Sequence, residues 1–476
     1  MFKTLEMVEL KLPTKQKMPT FITINRLILH MKKLLIILLT AQTIFAQEMP
    51  HILPLKDRAI VQDQLLEERF KTVLPSLMRK QGIDMWLIIA REYNEDPIIK
   101  TMLPSTWLNA RRRTILLIYD KGEKEGLECL AVARYNVGSI FKSAWKPEEE
   151  PNQWKRLSAL IEERNPKKIA LDISEQYAHS DGLSHSEYVA LMKNISPKIQ
   201  EKVISSEKLS VGWLETRTLR EIALYETLDR ITHQIISEAF SEKVITPGVT
   251  TTEDVVWYLR ERVADLKLDT WFHPTVDVQR ADTKLYGFDN KPEQQVILPG
   301  DLLHCDFGIT YLRLNTDVQE LAYVLRPEDT DTPDYLTKAF TTGNHLQDIM
   351  TGFFKVGITG NQILALSLRK AEQDGVVAQI YSHPVGYHGH AAGPAIGMWD
   401  MQGGVPGNGE YPLNENTAYA IELNAKVKIP AWDNKEIRIM LEEQGLFMNN
   451  KIHYIDGRQK QILTIPRKVK VGYLGE

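Results

Sequence analysis

Four carboxylates in this chain stand where a carboxylate is costly. The run Leu302-Leu303-His304-Cys305-Asp306-Phe307 reads as a buried strand containing Asp306, and Asp317 follows eleven residues later at the head of a second apolar run. Glu422 lies within Ala418-Tyr419-Ala420-Ile421-Glu422-Leu423, and Glu442 ends Ile437-Arg438-Ile439-Met440-Leu441-Glu442. A buried carboxylate has to be paired, hydrogen-bonded or bound to a metal. Two of them on neighbouring strands of a hairpin repel, and one takes up a proton unless a cation lies between them. Strand side chains alternate between faces, so Glu442 and Glu443 cannot both point inward, and Glu443 is expected to face solvent. His304 is expected to fill a strand position off the ligand face. Between the Asp pair and the Glu pair runs His383-Pro384-Val385-Gly386-Tyr387-His388-Gly389-His390-Ala391-Ala392-Gly393. An oxygen-rich set with one imidazole suits Mn²⁺, Co²⁺, Fe²⁺ or Zn²⁺ better than a closed structural zinc site.

Such residues need a scaffold to bring them together. The chain has 476 residues, 43% hydrophobic and 25% charged, which is more than one core accommodates, so two domains are expected. A net charge of −4 gives no electrostatic case for nucleic acid or an anionic membrane. The expected partner is a short peptide or small-molecule substrate, with no nucleic acid and no stable membrane insertion. Over 47–212 a helical pattern (Gln62 to Lys80) and strand-like runs at Met85, Thr114, Leu130 and Lys168 predict an α/β domain. An amphipathic stretch from about Glu215 to Lys243 opens the second domain, 213–476. Thr250 and Glu253 have capping-box spacing for the helix that follows. Gly248-Val249-Thr250 recurs as Gly357-Ile358-Thr359, an offset of 109 at which Val255 meets Leu364 and Arg260 meets Arg369. An internal duplication follows, with a pseudo-symmetric domain and a site between its halves.

Residues 1–46 are expected to lie outside the fold as leader and signal peptide. Met31-Lys32-Lys33 is a basic start, Leu34 to Leu39 an apolar run too short to span a bilayer, and cleavage after Ala46 fits a small-residue end. The protein is therefore expected to be exported, periplasmic or extracellular. Cys129 and Cys305 sit in apolar contexts and read as isolated buried thiols.

The order Asp306, Asp317, His390, Glu422, Glu442 resembles the metal-ligand order of the pita-bread metallopeptidases, the group of aminopeptidase P, prolidase, methionine aminopeptidase and creatinase. The Asp-Phe-Gly…Asn-Thr-Asp stretch matches with its eleven-residue separation, and His390-Ala391-Ala392-Gly393 supplies a His-x-x-Gly. The resemblance covers roughly residues 215–470. It implies an α/β N-terminal domain followed by an α+β pita-bread domain with internal pseudo-symmetry. It implies two divalent metal ions, manganese by preference with cobalt, zinc or iron as alternatives. Asp317 and Glu442 would bridge them, with Asp306 completing one site and His390 and Glu422 the other.

The implied function is an exported dinuclear metallohydrolase, Xaa-Pro peptidase-like, cleaving short peptides with a metal-activated hydroxide. Glu422 would handle protons, with His383 and His388 as further catalytic candidates, and Tyr286 and Trp399 as substrate-binding candidates. His388 is a rival ligand to His390. Three departures qualify the match: no histidine stands in Leu285 to Asn290, Trp399 replaces a second histidine, and Met440 stands where the family has arginine. A non-peptidase member of the fold acting on a small nitrogen- or sulfur-containing compound, or a metal-binding protein without turnover, are the alternatives. A homodimer is compatible with the resemblance.

Overall fold

Alternation of side chains along the first strands generates two cores, one on each face of a sheet. The computed structural model describes residues 49–283, 292 and 294–467; the expected signal peptide and Tyr286 lie outside them. Strands β1 (Met85–Arg91), β2 (Arg113–Asp120), β3 (Leu127–Ala131), β4 (Lys142–Ser143), β5 (Ile169–Leu171) and β6 (Val203–Ser205) form a sheet in the order β4-β3-β2-β1-β5-β6. Trp86, Ile88 and Ala90 of β1 pack with Phe70, Leu74 and Met78 of helix α1 (Leu55–Gln81). Met85, Leu87 and Ile89 pack on the opposite face with Leu157, Leu160 and Ile161 of α2 (Gln153–Arg164). That is the period-two pattern of a strand covered on both sides. Cys129 is half-buried and Cys305 buried, both as free thiols.

This region also buries an acid pair. Asp172 accepts hydrogen bonds from Trp86 Nε1 (2.8 Å), Ser206 and Ser210, and shares a further one with Asp96, which caps the helix Pro97–Met102. Burial first, then the neighbouring Asp172 carboxylate, pushes Asp96 well above the usual carboxylate range. A carboxyl that keeps its proton in the fold stabilises the fold below the unfolded pKa of about 4, and that contribution is lost as pH rises through the raised folded value. Asp96→Asn keeps the capping oxygen and a donor toward Asp172 but cannot ionise. Its melting temperature relative to wild type is expected to climb steadily from pH 5 to 9; a constant difference would show that the pair does not share a proton.

The chain crosses to the second sheet at Thr216–Thr218. The expected boundary at 212–213 falls inside helix α3 (Glu207–Glu215), because Trp213 is buried in the first core against Phe70. Helix α4 (Leu219–Ala239) then begins with a capping box of Thr218 and Glu221.

The second sheet is built from β7 (Thr275–Gln279), β8 (Leu302–Phe307), a short ribbon of β9 (Thr310–Tyr311) and β10 (Leu314–Asn315) beside it, β11 (Val318–Val324), β12 (Val377–Ile380), β13 (His383–Val385), β14 (Thr417–Ile429) and β15 (Lys435–Met448). Its order is β12-β14-β15-β11-β8-β7, with β13 on β14. Strands β16 (Lys451–Tyr454) and β17 (Leu463–Ile465) add to β15 and β11. The two halves of that order mirror each other about the β15–β11 pair. Helices α5 (Thr252–Asp265) and α6 (Gly360–Gln373) occupy equivalent places, so the duplication is present, but its helical register is 108 residues (360 − 252). At that offset the buried Val255, Val256, Leu259 and Val263 meet the buried Ile363, Leu364, Ser367 and Ala371. The capping box is correspondingly Thr251 with Asp254, one residue beyond the expected pair, and it matches Thr359 with Gln362. Gly248 and Gly357 keep the 109 offset and both have positive φ, so the first turn is one residue longer than the second. Among the described residues no helix is long and apolar enough to cross a membrane.

Candidate metal centre

Strand pairing in the middle of the second sheet converges the acidic residues. Asp306 on β8 pairs with Gln319 on β11, Gln319 pairs with Glu442 on β15, and Glu442 pairs with Glu422 on β14. Asp317 stands two residues before Gln319 and so shares its face. The result is a row across four strands in which ligand atoms of Asp306, Asp317 and Glu442 lie within 4.8 Å of one another.

The imidazole that enters this row is His383. It starts β13 opposite Ala420, two residues from Glu422, and its Nε2 lies 3.7, 3.8 and 3.9 Å from Asp317 Oδ2, Glu422 Oε2 and Glu442 Oε1. Its Nδ1 is 2.9 Å from the Pro384 carbonyl, which fixes the proton on Nδ1 and leaves the Nε2 lone pair facing the carboxylates. Burial, then the neighbouring His390, pushes its pKa down to about 3, so it is neutral. Nε2 of His383 and Oε1 of Glu442 are buried without hydrogen-bond partners. A lone pair pointing at carboxylates is repulsive unless a cation or proton sits between them, and this donor set fits a divalent cation. Burial and mutual charge push Asp317, Glu422 and Glu442 well above the usual range when no cation is bound.

His390 lies at the edge of this arrangement. It groups with Asp317 and His383 but with neither glutamate, it is exposed, and its ring stands 4.6 Å from His383 and 5.2 Å from Trp271. Trp271 is held by its Nε1 on the Thr316 carbonyl at 2.9 Å, and a side chain at Gly389 would collide with its ring. His388 turns away to meet His179, from the first sheet's region, with ring centroids 4.5 Å apart and the rings tilted by 51°, and burial pushes its pKa down to about 4. Trp399 is 56% exposed in the loop after Ile396, its carbonyl accepting from Gln379.

Two expectations are corrected on either side of the row. Glu443 is buried, not solvent-facing: it turns to the sheet's other face, where His233 of α4 meets it at 3.0 Å. His304, two residues from Asp306, shares the site face. Its Nε2 is 2.9 Å from Gln319 Oε1, while the Gln319 amide donates to Glu422 Oε1 (2.6 Å) and Glu442 Oε2 (2.9 Å). Asp277 lies 3.6 Å behind His304. Gln319 thus orients two glutamates at once, a role that its two-residue spacing from Asp317 on a strand could have suggested. Gln319→Leu is expected to weaken metal affinity about 10–100-fold, the usual cost of losing such a partner; titration calorimetry giving an unchanged affinity would refute the role.

With this geometry in view, residues 224–450 match metallopeptidase family M24. This segment is similar to an M24 metallopeptidase domain. No curated protein sequence matches the chain. Among solved structures, the X-Pro aminopeptidase from Thermotoga maritima is similar at 17% identity and TM-score 0.59, over 82% of this chain and 99% of that one. The Xaa-Pro dipeptidase from Bacillus anthracis is similar at 18% identity and TM-score 0.52, over 85% and 99%. Zinc-substituted E. coli aminopeptidase P in complex with product is similar at 11% identity and TM-score 0.55, over 83% and 94%. These likenesses establish the pita-bread fold with its N-terminal region. The family match supports a hydrolase of the metallopeptidase type.

Proposed function

We propose that the M24 domain holds two divalent cations, manganese by preference, and that the protein is an exported exopeptidase acting on short peptides with proline after the scissile bond. The observation that carries the reading is the neutral His383 imidazole, its Nε2 aimed at Asp317, Glu422 and Glu442. His383, Glu422, Glu442, Asp306 and Asp317 are the holding residues, with His383 taking the place expected of His390. Two cations there would supply polarisation of a carbonyl and a water made acidic enough to react near neutral pH.

The chain's own groups do the rest. Glu422 Oε1 is tied to Gln319, so Oε2 is the atom free to take a proton during reaction. His390, exposed beside His383 and braced by Trp271, offers a donor to bound substrate. The fold likeness to X-Pro aminopeptidase and Xaa-Pro dipeptidase supports the proline preference.

The test is hydrolysis of Xaa-Pro and Xaa-Ala peptides by metal-stripped protein before and after Mn²⁺ addition, with Glu422→Gln as control. Manganese-dependent cleavage favouring the Xaa-Pro peptide is expected. Metal binding without cleavage of either peptide would remove the peptidase reading. A mature N-terminus at Gln47 in material secreted by a native-like host is the matching test of export.

A further inference from the structure

The sheet that carries the metal centre has a second charged cluster on its opposite face. Glu320 and Glu443 alternate away from Gln319 and Glu442 and meet His233 of α4. His233 Nε2 is 3.0 Å from Glu443 Oε2, and Nδ1 is 3.1 Å from Asp456 Oδ2. Ligand atoms of His233, Glu320 and Glu443 all lie within 4.8 Å of one another. Asp229, one helical turn before His233, is buried beside them, and Arg230 reaches Asp456 at 3.0 Å. Four carboxylates therefore face one imidazole and one guanidinium.

Glu320 is the group that this network does not satisfy. It is only 8% exposed, the described residues give its carboxylate no hydrogen bond, and the cationic group facing it is His233, whose ring nitrogen lies within 4.8 Å. Burial pushes its pKa up to about 7. A desolvated carboxylate with no donor is costly until it is neutralised by a cation or a proton.

We propose that His233, Glu320 and Glu443 form a further divalent-cation site, separate from the catalytic centre on the other side of the sheet. The 3.0 Å between His233 Nε2 and Glu443 Oε2 is the separation of two adjacent ligands about 2.1 Å from a shared ion at a right angle. Binding would displace the Nε2 proton of the imidazolium to solvent, while the Nδ1 proton stays on the ring and is donated to Asp456, the carboxylate–histidine–metal arrangement that fixes ring orientation. The ion would fasten α4 to β11 and β15, which carry Gln319 and Glu442.

The experiment counts ions in the full chain equilibrated with Mn²⁺ or Zn²⁺ alone. Four proteins are compared: wild type, Asp317→Ala, Glu320→Gln, and the double variant. Asp317→Ala disables the catalytic centre and is expected to keep about one ion per chain; the double variant is expected to keep none. Glu320→Gln removes an unbonded buried charge, and circular dichroism checks that it folds; His233→Gln is the second variant, expected to lose the same ion. Equal ion content in Asp317→Ala and the double variant overturns the site. So does a wild-type His233 whose ¹⁵N shifts remain those of an imidazolium at saturating metal, because a proton is then the occupant. A wild type that binds one ion, lost on Glu320→Gln but not on Asp317→Ala, would sustain this site while removing the catalytic pair.

Discussion

His383→Ala is expected to lose bound metal and about 10³-fold or more of peptidase turnover, whereas His390→Ala keeps both ions and loses roughly 10- to 100-fold. The first figure is the cost of removing several kcal/mol of metal-derived transition-state stabilisation; the second is the cost of one hydrogen-bonding or proton-transfer group. The contrast rests on position. His383 is locked by strand pairing and by the Pro384 carbonyl so that Nε2 faces three carboxylates, while His390 is exposed and groups with Asp317 and His383. Metal content and kcat measured on both variants separate the roles. Depletion in His390→Ala with full loading in His383→Ala would falsify the assignment.

Glu442→Gln should separate stability from function. Glu442 belongs both to the group with Asp306 and Asp317 and to the group with His383 and Glu422, so losing its charge is expected to empty both cation positions and abolish turnover. Without metal, burial first and then Asp317, Glu422 and Asp306 penalise its ionised form. The metal-free wild type therefore loses stability as pH rises above about 4 through that raised folded value, and the amide variant is spared this component. In chelator the variant is expected to melt higher than wild type, by a margin that grows from pH 6 to pH 8. Retention of two ions, or a metal-free melting point below that of wild type, contradicts the shared role. Such a trade of stability for function is common where like charges are crowded for a ligand.

Strand content, the acidic row and the duplication were legible because each has a local signal. Alternating apolar residues mark β8, β11, β14 and β15, and Asp306, Asp317, Glu422 and Glu442 stand out as acids within such runs. The duplicated helix start was visible, yet its register was one residue off. Gly248 and Gly357 align at 109 because they form the same turn, but one extra residue before Thr251 moves the helices to 108, and helix burial follows the cap.

The choice among histidines was not legible. His383-Pro384-Val385-Gly386 and His390-Ala391-Ala392-Gly393 both read His-x-x-Gly, seven residues apart, and no local property ranks them. Pairing of β13 with β14 places His383 on the face of Glu422. Glu443 was equally opaque. A glutamate alternating away from a ligand face reads as solvent-facing, and only the packing of α4 against β11 and β15 brings His233 there. By itself the sequence determined which residues are costly to bury, because desolvation is a property of the side chain and its neighbours along the strand. The tertiary structure decided which imidazole meets those carboxylates and what covers the far face. Those contacts join distant positions, such as His233 and Glu443, 210 residues apart, and no period along the chain encodes them.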